Sequence, residues 1–171
     1  RAEVRRALHT LRLAYRRIVL GTANRSAGTI GEHTAFGEWL ADNYHLLLRE
    51  GQGVTADLRY AQPQPCEGKR PAVFRLFYHL CEQLGVPDEQ GLEQLMEMAG
   101  KMRPWTVFEL AQLPYCLKAA LVLLAAQACD EDADGEYDAA LRDIQQAVTG
   151  LRAAADLDFS GLTSRHSIVE R

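Results

Sequence analysis

The chain has 171 residues, of which 47% are hydrophobic and 25% are charged, a profile typical of a soluble globular domain. Its net charge of −4 argues against a nucleic-acid-binding role for the whole surface, although it allows a local basic patch. No segment alternates apolar and polar residues as a strand does, and nearly every periodic segment is helical. We therefore predict an all-α fold, an irregular bundle of about six helices around a central apolar helix.

A first helix is predicted over residues 2–20, where apolar residues recur at spacings of three and four. The other faces of this helix carry Arg1, Arg5, Arg6, Arg12, Arg16 and Arg17. A basic amphipathic helix of this kind can lie on an anionic membrane, or it can be a core helix with a solvated arginine face. We favour the core helix, and residues 21–31 are predicted to follow it as a loop.

A second helix is predicted over residues 33–49, with Phe36, Leu40, Asn43 and Leu47 on one face. Asn43 therefore lies in an apolar stripe and needs hydrogen-bond partners if it is buried. Residues 51–70 contain three glycines and two prolines, and they are predicted to form the longest non-helical connection.

A third helix is predicted over residues 71–84, because Pro71 suits a first helical position and Gly85 suits the position just past an end. A fourth helix is predicted over residues 88–99, with Asp88 favouring its N-terminus. The fifth helix should begin with a capping box formed by Thr106 and Glu109.

Pro114 should kink or break this fifth helix. Beyond it, residues 117–128 are apolar nearly all round, which predicts the central, most buried helix. An acidic loop is predicted at residues 130–134, and a last helix at residues 136–155. We expect residues 1–155 to form one helical bundle domain, and residues 156–171 to form a weakly patterned tail leading into a larger protein.

Little in the sequence points to catalysis or to a metal. Residues 130–134 imitate the start of a calcium-binding loop, but Leu141 occupies the twelfth position, where that loop needs a carboxylate. No phosphate-binding loop, nucleophile elbow or zinc-binding helix occurs, so we predict no cofactor, no metal and no catalytic residue. The four cysteines, Cys66, Cys81, Cys116 and Cys129, are predicted to be buried, reduced thiols of a cytoplasmic protein, and the last three lie in apolar helical stretches.

Two clusters, residues 38–45 and residues 106–114, combine an aromatic or apolar frame with acids and amides. Such residues can stack on and hydrogen-bond to a sugar, or they can tie helices together through caps and buried hydrogen bonds. We favour the structural role. Candidate residues for contact with a glucan or with another domain are Trp39, Asp42, Asn43, Tyr44, Trp105 and Glu109. Glu38, Asp42 and Glu109 suit glycoside chemistry by residue type only.

The same clusters carry a family resemblance. Residues 38–45, Glu-Trp-Leu-Ala-Asp-Asn-Tyr-His, resemble the E-W-L-L-D-N-Y/F-H motif near the start of the cyclic β-1,2-glucan synthases. Residues 106–117 resemble that family's later T-x-x-E-L-W-A-L-P-x-x-L motif, and residues 167–170 are similar to the S-x-V-E that follows. Ala41 stands in place of a Leu, and Ala111 and Gln112 stand in place of Trp and Ala.

The resemblance implies that the chain is a helical segment of a very large bacterial inner-membrane enzyme that transfers glucose from UDP-glucose to a growing β-1,2-glucan. In that family the segment precedes the glycosyltransferase unit and lacks its catalytic motifs. The resemblance further implies a cytoplasmic location and contacts with other domains of the same polypeptide. The absence of natural-looking ends at Arg1 and Arg171 fits an excised segment. A β-glucan-binding module and a free-standing helical protein-interaction domain are the alternatives.

Overall fold

A computed structural model of the chain describes residues 1–20, 34–58, 66–67 and 70–166. This part contains eight α-helices: α1 (Ala2–Tyr15), α2 (Thr34–Asp57), α3 (Ala72–Leu84), α4 (Glu89–Met102), α5 (Val107–Ala111), α6 (Leu113–Asp134), α7 (Tyr137–Asp156) and α8 (Phe159–His166). A π-helical segment, Arg16–Leu20, continues α1, and two-residue strands β1 (Cys66–Glu67) and β2 (Arg70–Pro71) pair antiparallel before α3. The all-α prediction is confirmed.

Helix α6 is the centre of the bundle, as predicted, because α1, α2, α3 and α7 all pack against it. Three of its alanines, Ala120, Ala125 and Ala128, are fully buried and let neighbouring helices approach closely. By length and composition alone α6 could also cross a membrane, but 67% of its apolar window is buried inside the bundle. Burial on every side is what an all-round apolar helix requires in a globular protein.

Helix α1 buries its apolar stripe and turns its arginines outward. Val4, Leu8 and Leu11 are buried against the core, whereas most of the arginines are exposed. Helix α1 is therefore a core helix with a solvated arginine face, the interpretation that the sequence favoured.

Helix α2 continues to Asp57, so the predicted non-helical connection is wrong for residues 51–57. A side-chain carbon at Gly51 would lie 2.6 Å from Leu8 Cδ2 and 3.3 Å from Val122 Cγ1. The glycine therefore serves close packing of three helices, and it does not end the helix. Residues 59–65 and 68–69 of that connection, and the predicted loop at residues 21–31, lie outside the described residues.

The predicted break at Pro114 is confirmed. Helix α5 ends at Ala111 and α6 begins at Leu113, with Pro114 in the first turn, where its missing N–H leaves no hydrogen bond unmade. The end of α3 and the start of α4 also follow the prediction, whereas α4 continues to Met102, past its predicted end at residue 99. Gly85 adopts a φ of 78° after α3, and the Asp88 carboxylate accepts a 2.8 Å hydrogen bond from the amide of Gly91 at the start of α4.

The acidic loop predicted at residues 130–134 is instead the last turn of α6, which ends at Asp134 and is capped by Gly135 with a left-handed φ of 88°. Residues 159–166, predicted to belong to a weakly patterned tail, form α8 against α4 and α5. Its Leu162 is 0% exposed, and Glu93 of α4 accepts bonds from Arg165 and His166 at 2.9 Å. Residues 167–171 lie outside the described part.

Candidate functional site

Asn43 links α2 to α7 through its side-chain amide. Its Nδ2 donates a 2.9 Å hydrogen bond to the Trp39 carbonyl oxygen, and its Oδ1 accepts a 2.7 Å bond from Arg152 Nη2. Asn43 is only 5% exposed, so both bonds compensate for the cost of burying an amide. The requirement that a buried Asn43 find hydrogen-bond partners is met. Nothing in the sequence identified Arg152, which lies 109 residues away, as the hydrogen-bond partner of Asn43.

The other residues of the first cluster are arranged around α2. Trp39 is half-buried and packs against the core, whereas Asp42 is exposed. Tyr44 stacks on Tyr15 of α1, with ring centroids 4.0 Å apart and planes 16° from parallel. A stacked pair of this kind stabilises a helix contact beyond the area that it buries. This part of the motif therefore joins α2 to α1 on one side and to α7 on the other.

Glu109 closes the capping box predicted for the start of α5. Its Oε2 accepts hydrogen bonds from the Thr106 amide at 3.0 Å and from Thr106 Oγ1 at 2.9 Å. The Glu109 amide donates to Thr106 Oγ1 at 3.2 Å. Arg103 adds a two-point contact, with Nη1 at 3.1 Å from Oε2 and Nη2 bonded to Oε1. Every carboxylate bond of Glu109 thus stays within the turn that connects α4 to α5.

These contacts decide the protonation state of Glu109. Burial of this carboxylate, which is 1% exposed, would raise its pKa, but hydrogen bonds from Arg103 and Thr106 and the charge of Arg103 hold that pKa below its ordinary value. A general acid at neutral pH needs a raised pKa. Glu109 is therefore an ionised structural acceptor, and its environment is opposite to the one that a proton donor requires.

Trp105 also stabilises the turn that connects α4 to α5. The ring is 7% exposed, and its Nε1 donates a 2.9 Å hydrogen bond to the Met96 carbonyl oxygen of α4. A buried indole whose N–H is already bonded offers no face on which a sugar ring could stack. Among the aromatic candidates, Trp39 and Tyr44 keep accessible surface.

The two clusters share α6 as a neighbour and otherwise pack on different helices. Helix α2 packs on α1, α6 and α7, whereas α5 packs on α6 and α8. Two clefts in the described part, of about 580 and 280 Å³, are lined by other residues, including Phe36 and Tyr137 in the first and Phe74 and Tyr115 in the second. None of the six candidate residues lines either cleft.

A third polar cluster, at the end of α6, was missed because the sequence was interpreted there as a solvated turn. Arg17 Nη2 donates to Asp132 Oδ2 at 3.2 Å and to the Cys129 carbonyl oxygen at 3.4 Å. Beside it, Glu131 Oε1 accepts a 2.9 Å bond from Gln127, and burial raises the pKa of Glu131. Within the described residues no group of acids, histidines or cysteines could hold a metal ion.

The three described thiols behave as the sequence predicts. Cys81, Cys116 and Cys129 are free and buried, and burial raises the pKa of each to about 12. They are therefore protonated at neutral pH and have no nucleophilic thiolate.

Comparison with protein-family models, with curated proteins and with solved structures gives no match to this chain. The resemblance to the glucan synthase motifs therefore depends on the residues of the two clusters and on residues 167–170.

Proposed function

We propose that this chain is a non-catalytic helical accessory domain of a larger enzyme of the cyclic β-1,2-glucan synthase type. The proposal is supported by one observation above all: the buried polar residues of both motif clusters hold the fold together. Asn43 binds Arg152 across two helices, and Glu109 closes a cap with Thr106 and Arg103. Residues with such roles are needed wherever the same bundle is built, whether or not a reaction takes place on it.

In this proposal the domain docks on other domains of its polypeptide, on the cytoplasmic side of a bacterial inner membrane. Apolar side chains suited to such contacts are exposed along α4 and at the start of α5, among them Met98, Met102 and Phe108. Exposed apolar groups of this kind mark interaction surfaces when they lie close together.

The test uses the full-length protein that carries this segment. Removing residues 1–166 should reduce glucan synthesis from UDP-glucose or change the size of the product, because the catalytic units lose their support. Asn43→Ala should cause a smaller loss of the same kind by loosening α2 from α7. Asp42→Ala, which changes the exposed neighbour within the same motif, should leave synthesis unchanged.

Unchanged synthesis and product size after the deletion would disprove the accessory role. Glucose transfer from UDP-glucose by the isolated domain would show instead that the segment is catalytic. Both measurements need only labelled UDP-glucose and size separation of the glucan.

A helical protein-interaction domain without a link to sugars is the competing function, and the exposed Met98, Met102 and Leu84 favour it. Reading the gene past the codon for Arg171 separates the two, since a reading frame that stops there has no synthase to assist. A β-glucan-binding module would have to use Trp39 and Tyr44, because the indole of Trp105 is buried. Titration of the domain with β-1,2-glucan, followed by tryptophan fluorescence and calorimetry, tests that possibility directly.

A further inference from the structure

The outward face of α1, together with the first residue of the π-helical segment that continues it, carries a group of exposed arginines. Arg5, Arg6, Arg12 and Arg16, which we call the arginine row, are exposed. In the part of the chain that the structure describes, none of the four forms an ion pair. Arg17 is not part of the row, because it binds Asp132.

The row is continuous along the helix. At about 1.5 Å per residue, the four arginines span roughly 17 Å, along α1 and the first residue of the π-helical segment that continues it. His9 and Leu13 lie on the same face, and Leu13 is 51% exposed. The sequence contains no acid between Glu3 and Glu32, so the face has no carboxylate of its own. Four positive charges thus lie together on one face of a protein whose net charge is −4.

The packing of α1 determines how the face that carries the arginine row can contact a membrane. Because Val4, Leu8 and Leu11 are buried in the bundle, the apolar stripe of the helix cannot enter a membrane while the domain is folded. The row is instead presented on a rigid support, with long side chains free to reach a flat, negatively charged surface. Contact would be peripheral and electrostatic, with Leu13 as the one exposed apolar group between the arginines.

We infer that the arginine row binds the surface of a lipid bilayer that contains anionic lipids. A single convex helix suits a plane, and the negative charge of the remaining molecule opposes the close wrapping that a nucleic acid would need. A half-exposed leucine among the arginines also suits the boundary between headgroups and acyl chains. The row would bind a bilayer whether or not the domain serves a glucan synthase.

The expected strength follows from the number of arginines. Each basic residue close to an anionic leaflet contributes about 1 kcal/mol, which corresponds to roughly fivefold tighter binding. Removing two should weaken binding about thirtyfold. The attraction should also fall steeply with salt, since the Debye length shortens from about 10 Å at 0.1 M to about 3 Å at 1 M.

The experiment is co-sedimentation of the purified chain with vesicles. Wild-type protein should bind vesicles of phosphatidylcholine mixed with phosphatidylglycerol, should not bind pure phosphatidylcholine, and should dissociate at high salt. The double variant Arg5→Gln/Arg12→Gln should lose about thirtyfold in affinity. Arg5→Lys/Arg12→Lys keeps the charge and should bind as the wild type does.

A matched control removes two exposed cations elsewhere, with Arg75→Gln/Lys101→Gln, and should leave vesicle binding unchanged. Circular dichroism checks that every variant is folded. Three results would overturn the inference: no binding of the wild type to the mixed vesicles, equal losses in the row variant and the control, or binding of a DNA or RNA duplex at the same salt in preference to vesicles.

Discussion

Glu109 is the residue on which the connection between α4 and α5 depends. The Glu109→Ala variant removes the carboxylate that binds both Thr106 and Arg103. Arg103 is half exposed and can return to water, so the variant leaves no buried charge behind. We expect a loss of about 1–3 kcal/mol in the free energy of unfolding, measured by chemical denaturation.

The matched control is Glu97→Ala, which breaks the 2.9 Å ion pair with Lys101 on the exposed face of α4. Exposed pairs of this kind contribute little, so the variant should unfold like the wild type. If the two variants lost equal stability, the special role of the buried Glu109 would be refuted.

The stabilisation by Glu109 should depend on pH in a defined direction. Its pKa in the folded chain is lowered from an ordinary value of 4.5, so folding favours the ionised form. The contribution is complete above that ordinary value and is lost as the pH falls through the lowered pKa. The difference in unfolding free energy between wild type and Glu109→Gln should therefore be constant from about pH 7 down to the ordinary value of 4.5 and should narrow as the pH falls further, towards about pH 3.

Urea denaturation of both proteins across this range measures the difference. A gap that stayed constant, or widened on acidification, would contradict a lowered pKa at Glu109.

Gly150 sets how closely α7 approaches its neighbours. A side-chain carbon at this position would lie 2.5 Å from Val86 Cγ2 and 2.8 Å from Leu121 Cδ2, in a buried contact. Overpacking costs about 1–3 kcal/mol, which outweighs the gain of about 1 kcal/mol from replacing a helical glycine. Gly150→Ala should therefore lower the free energy of unfolding.

Gly53 is the appropriate comparison, because it lies inside α2 and a side-chain carbon there would meet nothing within 4 Å. Gly53→Ala should raise the free energy of unfolding by about 0.5–1 kcal/mol. Opposite signs in the two variants are expected in equilibrium denaturation. If Gly150→Ala instead raised the free energy of unfolding, the contact would have space for the added methyl group.

Local patterns in the sequence predicted most helices, whereas contacts between distant residues decided the rest. The capping box at Thr106 and the break at Pro114 depend on neighbouring residues, and both were predicted. Gly51 stays helical because Leu8 and Val122 pack against it, and Asp132 stays helical and buried because Arg17 binds it. Arg152, the partner of Asn43, is equally remote in sequence. The structural role of the first motif was therefore expected, whereas the hydrogen bond that carries it was not.

Helix α8 is the principal helical neighbour of α4, so its removal should destabilise α4 before the rest of the molecule. A chain ending at Asp156 loses Leu162 and both bonds from Arg165 and His166 to Glu93. We expect amide hydrogen exchange in α4 to become fast, whereas exchange in α6 stays slow because its four covering helices remain in place.

A chain ending at His166 retains these contacts and should exchange like the whole protein. Equal protection of α4 in the two shortened chains would mean that α8 is dispensable. Leu162→Ala, in the complete chain, should give an intermediate result and cost about 2–5 kcal/mol if α8 stays docked.

The position of α6 in the chain has a consequence during synthesis. Helices α1, α2 and α3 all pack on α6, yet all three emerge from the ribosome before it. Because the ribosome adds about 5–20 residues per second, the apolar face of α1 stays uncovered for several seconds before α6 is synthesised. Chaperones that shield exposed apolar segments are therefore expected to bind the nascent polypeptide until α6, on which α1, α2 and α3 pack, has been synthesised.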